Sequence, residues 1–265
     1  MWDIIKAIIL GIVEGLTEFL PVSSTGHLIL VNQWITFSEE FTVLFDIFIQ
    51  IGAILAVVVY FRKDIFPEKL KNITEKSYIQ FWLKIITAFL PAVVLGLLFA
   101  DFIEKELFNP VTVSISLFIG GLLLIFLDRK ERAFKFTSVK EMSFKIALFI
   151  GLFQCLAMIP GTSRSAATII GALLLGASRK LAAEFSFYLA IPTIFGASVY
   201  SLMKTSISFN NHDIIILAVG FLVSFLVAIV VIKFLMNFIK KHSFVVFGYY
   251  RIILASIMFL WLILK

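Results

Sequence analysis

Glu14-Gly-Leu-Thr-Glu18-Phe-Leu-Pro21-Val-Ser23-Ser24-Thr25-Gly26-His27 decides how the chain must fold. Two carboxylates, a proline, several hydroxyls and a histidine stand in the middle of Trp2–Val31, a region otherwise apolar enough to enter a membrane. Ionisable side chains are expensive in hydrocarbon and mark functional positions there. Proline ends or kinks a helix because it lacks an N–H and clashes with the preceding turn. The region therefore reads as two short helices joined by a polar break, not as one straight span. Further along, Ile159-Pro160-Gly161-Thr162-Ser163-Arg164-Ser165 interrupts Ser143–Gly176 in the same way.

Working outward, the surroundings are apolar. The chain has 265 residues, of which 61% are hydrophobic and 15% charged, with a mean hydropathy of +1.05. A soluble domain is about half apolar. Six uninterrupted segments can each cross a hydrocarbon core of roughly 30 Å: Leu44–Phe61, Phe81–Ala100, Val111–Leu127, Phe185–Met203, Ile214–Met236 and Phe244–Leu264. Pro91 is expected to kink the second of them. No short N-terminal apolar run with a cleavage site stands apart, so no removable signal peptide is expected. The single cysteine, Cys155, cannot form an intrachain disulfide and is expected to be a small buried hydrophobe.

A pI near 9.4 would suit a nucleic-acid partner, but the basic residues sit in short connections between apolar segments, so none is expected. They crowd Arg62–Lys84, Asp128–Lys145, Ser178–Lys180 and Lys240–Lys241. They are sparse in Asn32–Thr42, Asp101–Pro110 and Lys204–Asp213, where Glu39, Glu40, Asp101, Glu104 and Glu106 add negative charge. The basic connections should be cytoplasmic. That assignment closes only if each interrupted region enters and leaves on one side, the first from outside and the second from inside. The expected fold is all-α: a polytopic membrane protein of six transmembrane helices and two re-entrant hairpins, forming a single domain over residues 1–265. Non-helical backbone at membrane depth needs protein or a water-filled cavity around it. The two breaks should therefore face each other.

The halves also look alike. Gly11-Ile-Val-Glu14, then Pro21 and Ser24, parallels Gly151-Leu-Phe-Gln154, then Pro160 and Ser163. Phe45-Asp-Ile-Phe-Ile-Gln-Ile51 parallels Phe185-Ser-Phe-Tyr-Leu-Ala-Ile191, and Tyr60 parallels Tyr200. The spacing is about 140 residues, with one residue of slippage. Three full spans separate the copies, so repeat 1 (about 1–130) and repeat 2 (about 141–265) should be inverted. Broken helices meeting in an inverted repeat are also a transporter architecture. A lipid-phosphate or anion transporter is thus the alternative to an enzyme.

The chemistry is unequal between the copies. Glu14 and Glu18 are four apart and share a helix face. They can take a divalent cation, Mg²⁺ or Ca²⁺, or one can serve as a base of raised pKa. Ser23, Ser24 and Thr25 offer hydroxyls; one can cap the next helix, which leaves the others unexplained. His27 follows Ser24 closely enough for a short-loop contact. In the second break Met158 stands where the first has Glu18, and Arg164 supplies a planar fork that suits phosphate. Arg164 can equally pair with Glu14 or Glu18. Gly161 allows close backbone approach, and helix N-termini beginning at Ser163 or Ser165 favour an anion. The set suits phosphoryl transfer: an activated hydroxyl, donors for the equatorial oxygens and an acid for the leaving oxygen.

At these residues the chain resembles the undecaprenyl-diphosphate phosphatase, or bacitracin-resistance protein, family. Glu14 through His27 is similar to the family's first signature, and Pro160-Gly-Thr-Ser-Arg-Ser-Ala-Ala-Thr168 to its second, with Ala166 where many members have glycine. The likeness extends over the chain, including Gln50-Ile-Gly-Ala53. It implies hydrolysis of undecaprenyl diphosphate to the monophosphate and inorganic phosphate, which recycles the lipid carrier of peptidoglycan synthesis and confers bacitracin resistance. It implies a site open to the outer face of the bacterial plasma membrane. It suggests Ser24 as nucleophile with Glu18, His27 and Arg164 as catalytic partners, and Glu14 with Glu18 as metal ligands. Ser23, Thr25, Gly26, Gly161, Thr162, Ser163, Ser165 and Thr168 would line the substrate. The partners expected are the polyprenyl diphosphate and membrane lipids; a homodimer is allowed. Phosphatidic-acid-type phosphatases need a second histidine soon after the Ser-Arg pair. His212 and His242 lie too far from Arg164, so that class is excluded.

Overall fold

The computed structural model describes residues 1–66, 75–129, 133–204 and 210–264. The parts of the charged connections in 67–74, 130–132 and 205–209, and the side chains of Glu39, Glu40 and Glu104, lie outside the described residues. The chain is helical almost throughout. In order it forms α1 (Trp2–Thr17), α2 (Ser24–Val31), α3 (Glu39–Tyr60), α4 (Arg62–Ile65), α5 (Glu75–Phe102), α6 (Pro110–Asp128), α7 (Phe144–Gln154), α8 (Arg164–Leu175), α9 (Arg179–Lys204), α10 (Asn211–Phe238) and α11 (Val245–Leu264).

Six of these, α3, α5, α6, α9, α10 and α11, are long and apolar enough to cross a membrane, and each covers nearly all of one segment expected from the sequence, most of them running a few residues beyond it. Outward side chains such as Phe126 (77% exposed) and Leu98 (69% exposed) give them an apolar surface, which suits lipid and would be a liability in water. α5 runs through Pro91 without ending. The other five helices are shorter. At 1.5 Å per residue, the 11 residues of α7 and 12 of α8 are too short to span alone.

Local chemistry sets the boundaries. Asn109 caps α6 by accepting from Thr112 N–H at 2.9 Å, with Pro110 as its first residue. Asn210 and Asp213 form a reciprocal capping box on α10. α8 stops at Gly176, whose φ of 103° only glycine adopts cheaply. Cys155 is half-buried rather than buried, because it lies in the short 3₁₀ turn after α7; its thiol donates to Gly151 O at 3.3 Å.

The arms that carry the breaks pack on long helices through glycine. α1 lies on α10, where a Cβ on Gly11 or Gly15 would come within 2.8 Å of Gly220 O or 2.7 Å of Ser224 O. α7 lies on α5, with Gly151 against the Ala88 backbone. Small residues at such crossings let backbones approach closely. α3 also packs on α9 and α10, α6 on α11, and α8 on α7 and α9.

Contacts between connections sort the two ends of the bundle. Lys84 Nζ donates to Val139 O (2.9 Å), and Asp128 accepts from Arg179 Nε (2.8 Å) and Phe244 N–H (2.6 Å). Lys135 N–H donates to Gly176 O at 2.8 Å, so the chain before α7 meets the end of α8. Elsewhere Asp3 lies 3.4 Å from His212, and Lys6 Nζ donates to Thr36 O at 2.9 Å. The start of α1 thus meets the chain just after α2.

Glu141 pins the connection before α7. The Thr137 amide first, then the Ser138 hydroxyl, hold its carboxyl below the usual range. Its folded pKa is below the unfolded one, so the stabilisation is present above about pH 4.3 and is lost as pH falls through the folded value. The Thr137 amide should therefore keep its hydrogen-exchange protection factor at pH 5 and above and lose it in acid, a factor that stayed constant down to about pH 2 being the contrary result.

Candidate active site

Each break ends in a serine that folds back on itself. Ser23 (φ 73°) and Ser163 (φ 71°) are the only non-glycine residues with positive φ among the described residues. Such a conformation costs of order 1–3 kcal/mol and is kept where surrounding structure enforces it. Ser23 Oγ accepts from Gly26 N–H at 3.3 Å, and Ser163 Oγ accepts from Ala166 N–H at 3.2 Å. The like positions are therefore Ser23 and Ser163, separated by 140 residues without slippage, rather than Ser24 and Ser163. Ser24 and Arg164 then hold the same place, the first residue of α2 and of α8.

The two breaks are sewn together. Ser165 Oγ donates to Leu20 O at 2.9 Å. Arg251 of α11 is fully buried; its guanidinium donates to Pro21 O (3.4 Å) in one break and Gly161 O (3.1 Å) in the other. Its remaining bonds go to Ser116 O (3.1 Å) and Leu117 O (3.2 Å) of α6. Gly161, at φ 89°, sits so near α6 that a Cβ would lie 2.5 Å from Val113 O. Sequence reasoning missed Arg251, although the signal that singled out Arg164, an arginine inside an apolar run, is present there too.

At the seam stand Glu18, Ser24 and Arg164. Ser24 Oγ donates to Glu18 Oε2 at 2.5 Å. Arg164 Nη2 donates to Glu18 Oε1 at 2.9 Å, and Nη1 donates to Ser186 O, also at 2.9 Å. The guanidinium lies 5.8 Å from the centre of the Phe19 ring. Glu18 and Arg164 side chains are 9% and 11% exposed, so their attraction is little screened. Thr168 is fully buried, its hydroxyl 2.7 Å from the Ser186 hydroxyl and 2.9 Å from Arg164 O. It braces Arg164 from behind. Ser165 is also buried, in the strap to Leu20, whereas Thr25, Thr162 and Ser163 keep partial exposure. Gly26 is buried under Leu117.

His27 is not hydrogen-bonded to Ser24. Its Nδ1 lies 2.7 Å from Ser23 O, and its Nε2 lies 2.6 Å from the Tyr250 hydroxyl. Glu14 is fully buried, with neither carboxylate oxygen hydrogen-bonded. Glu18, Asp46 and Arg164 are the charged groups that act on it. Asp46 Oδ1 is buried without a partner too. Among the described residues, no three His, Cys, Asp or Glu side chains converge to hold a metal ion. Both Glu18 oxygens are already engaged, so of the two expected ligands it is Glu14 that has oxygens to offer. Asp46, Ser186 and Tyr250 were not legible from sequence, because single polar residues within long apolar helices carry no local pattern.

In this arrangement Glu18 can receive the Ser24 proton and the Arg164 fork can hold an oxyanion. Comparison with known proteins points the same way. The family model described as "Bacitracin resistance protein BacA" matches residues 7–257. The chain is 52% identical over 259 residues to "Undecaprenyl-diphosphatase 1" of Clostridioides difficile (strain 630), covering 96% of this chain and 94% of that protein. It is 48% identical over 266 residues to "Undecaprenyl-diphosphatase" of Enterococcus faecalis, covering 97% and 96%.

Proposed function

The chain belongs to the BacA bacitracin-resistance family of undecaprenyl-diphosphatases, and on that footing we propose that Glu18, Ser24 and Arg164 hydrolyse undecaprenyl diphosphate to undecaprenyl phosphate and inorganic phosphate. The observation that carries the mechanism is Glu18 with one oxygen 2.5 Å from Ser24 Oγ and the other on Arg164. Ser24 Oγ attacks the terminal phosphorus and its proton passes to Glu18 Oε2. The bond from that phosphorus to the bridging oxygen breaks, and undecaprenyl phosphate leaves. Arg164 and the N-termini of α2 and α8 hold the phosphoryl oxygens. Water then attacks phosphoserine, giving its proton to His27 Nε2; the bond from phosphorus to Oγ breaks as Glu18 returns its proton to Ser24, and inorganic phosphate leaves.

Glu14 fits a divalent cation, Mg²⁺ or Ca²⁺, since its buried oxygens have no other partner. Such a cation takes one or two carboxylates and completes its shell with phosphate oxygens and water. When bound, it would neutralise diphosphate charge. Purified protein in detergent should release inorganic phosphate from a polyprenyl diphosphate. A chelator should lower the rate by about tenfold or more, with Mg²⁺ or Ca²⁺ restoring it. A rate indifferent to chelator removes the cation from the scheme. A lipid-phosphate carrier, by contrast, releases no phosphate at all.

The scaffold reads as an inverted repeat of residues 1–130 and 141–265 with two re-entrant hairpins. α1 on α10 and α7 on α5 are then one contact made twice, and α3–α9 and α6–α11 pair equivalent helices. The hairpin reading is supported by Lys6 meeting Thr36, and Lys135 meeting Gly176, since each interrupted region begins and ends near one place. The basic connections that meet around Asp128 and Lys84 face the cytoplasm. The site opens to the outer side of the bacterial plasma membrane.

A further inference from the structure

Resting on that reading of the site, we propose that Tyr250 is a positioning residue: its hydroxyl fixes the direction of the His27 ring, whose Nε2 takes the proton in the step that frees phosphate from Ser24. A carbonyl oxygen can only accept, so the 2.7 Å contact with Ser23 O places a proton on His27 Nδ1. In the neutral ring Nε2 then carries the lone pair, and the Tyr250 hydroxyl, 2.6 Å away, donates to it. The two rings are 5.6 Å apart and within 7° of parallel, so the phenol also holds the plane of the imidazole.

The arrangement is anchored from both sides. Ser23, whose carbonyl accepts from Nδ1–H, is the positive-φ residue that caps α2. Tyr250 is the chain neighbour of Arg251, whose guanidinium is bonded to Pro21 O and Gly161 O in the two breaks. The register of α11 against the breaks is thereby set one residue away from the phenol. No group within 25 residues of His27 in sequence supplies the second ring contact; it arrives from 223 residues along the chain.

His27 makes no hydrogen bond to Ser24, whose proton has Glu18 to receive it. Nε2 is therefore not needed for the first step, and for the second a water must take the place of the Tyr250 hydroxyl on its lone pair. A water that donates to Nε2 must approach along the direction the Tyr250 hydroxyl now takes. The phenol, both donor and acceptor, can stay bonded to that water as its proton moves to Nε2.

Tyr250→Phe keeps the stacked ring and removes only the hydroxyl. Tyr250 is 45% exposed, so the change leaves the packed core alone. The expected result is a kcat for phosphate release about tenfold to hundredfold lower with KM within about threefold, and phosphoserine accumulating at Ser24 during turnover. A second readout needs no turnover. With only three histidines in the chain, ¹⁵N spectra of the detergent-solubilised protein, assigned with His27→Asn, should show one Nδ1–H tautomer for His27. In Tyr250→Phe the Nε2 resonance should shift, while Ser23 O keeps the proton on Nδ1. A kcat within twofold of wild type, or an unchanged His27 spectrum in Tyr250→Phe whatever its activity, overturns the assignment. Phosphate release by the wild-type protein reports separately on the phosphatase reading, so the two can fail independently.

Discussion

Ser24→Ala should abolish phosphate release from undecaprenyl diphosphate, lowering kcat by ~10⁴ or more, while the protein still folds. The size follows from the geometry. Ser24 Oγ is the hydroxyl bonded to Glu18 Oε2, at 2.5 Å, and it starts α2, where the free N–H groups face the incoming anion. No second hydroxyl is bonded to Glu18 among the described residues; Ser23 and Ser163 spend theirs on capping. The fold survives because the deleted group makes one hydrogen bond, worth about 1–3 kcal/mol when its partner is left buried, and Glu18 keeps Arg164. Acid quenching during turnover should leave phosphate on Ser24 of the wild type and none on the variant. Retained activity in Ser24→Ala would eliminate the covalent route and leave a directly attacking water as the nucleophile.

Arg164→Lys should lower kcat/KM by ~10²–10³ despite conserving charge. One guanidinium nitrogen serves Glu18 at 2.9 Å while the other serves Ser186 O at 2.9 Å. An ammonium is a single point on a flexible stem and cannot make both bonds while presenting a flat donor edge to phosphate. The lysine variant isolates the fork from the charge. Arg164→Ala does not, because it leaves Glu18 buried without a counter-ion, which costs about 3–5 kcal/mol of stability. Lysine at position 164 with a normal rate of phosphate release would show that Arg164 is structural and that another group holds the phosphoryl oxygens. The rate should be read alongside thermal unfolding, since the expected loss is in catalysis at nearly unchanged stability.

Much of this was legible along the chain. The six long helices stand where hydropathy marks segments, most of them longer by a few residues, and both breaks fall at Pro21 and Pro160 with their neighbouring hydroxyls. Hydropathy is a transfer free energy that each residue carries with it, so summing it over about 20 residues locates a helix without knowing its neighbours. Glu14, Glu18, Ser24, His27 and Arg164 stood out for the same reason: a polar group in an apolar run is costly wherever the run packs. The comparison of the halves was off by one, pairing Ser24 with Ser163, because identity of residue type was weighed where backbone conformation decides. It is Ser23 and Ser163 that share positive φ and the capping bond.

What only the tertiary structure decided was who is bonded to whom. Glu18 could have been a metal ligand, a base or an ion-pair partner; the fold gives one oxygen to Ser24 and the other to Arg164, 146 residues away, and leaves the Glu14 oxygens without a hydrogen bond. His27 could have served Ser24; the fold turns it to Ser23 O and Tyr250. Arg251 reads in sequence as one more arginine, yet it bonds carbonyls of both breaks and of α6. The physical reason is range and direction. Burial energy is additive and local to each residue, whereas a hydrogen bond exists only within a few tenths of an ångström and over a narrow angle. Those tolerances are met here by helices that lie far apart in sequence and are fixed only when they pack. The polar stretch from Glu14 to His27 thus determined by itself that the helix breaks there, and packing determined what surrounds the break.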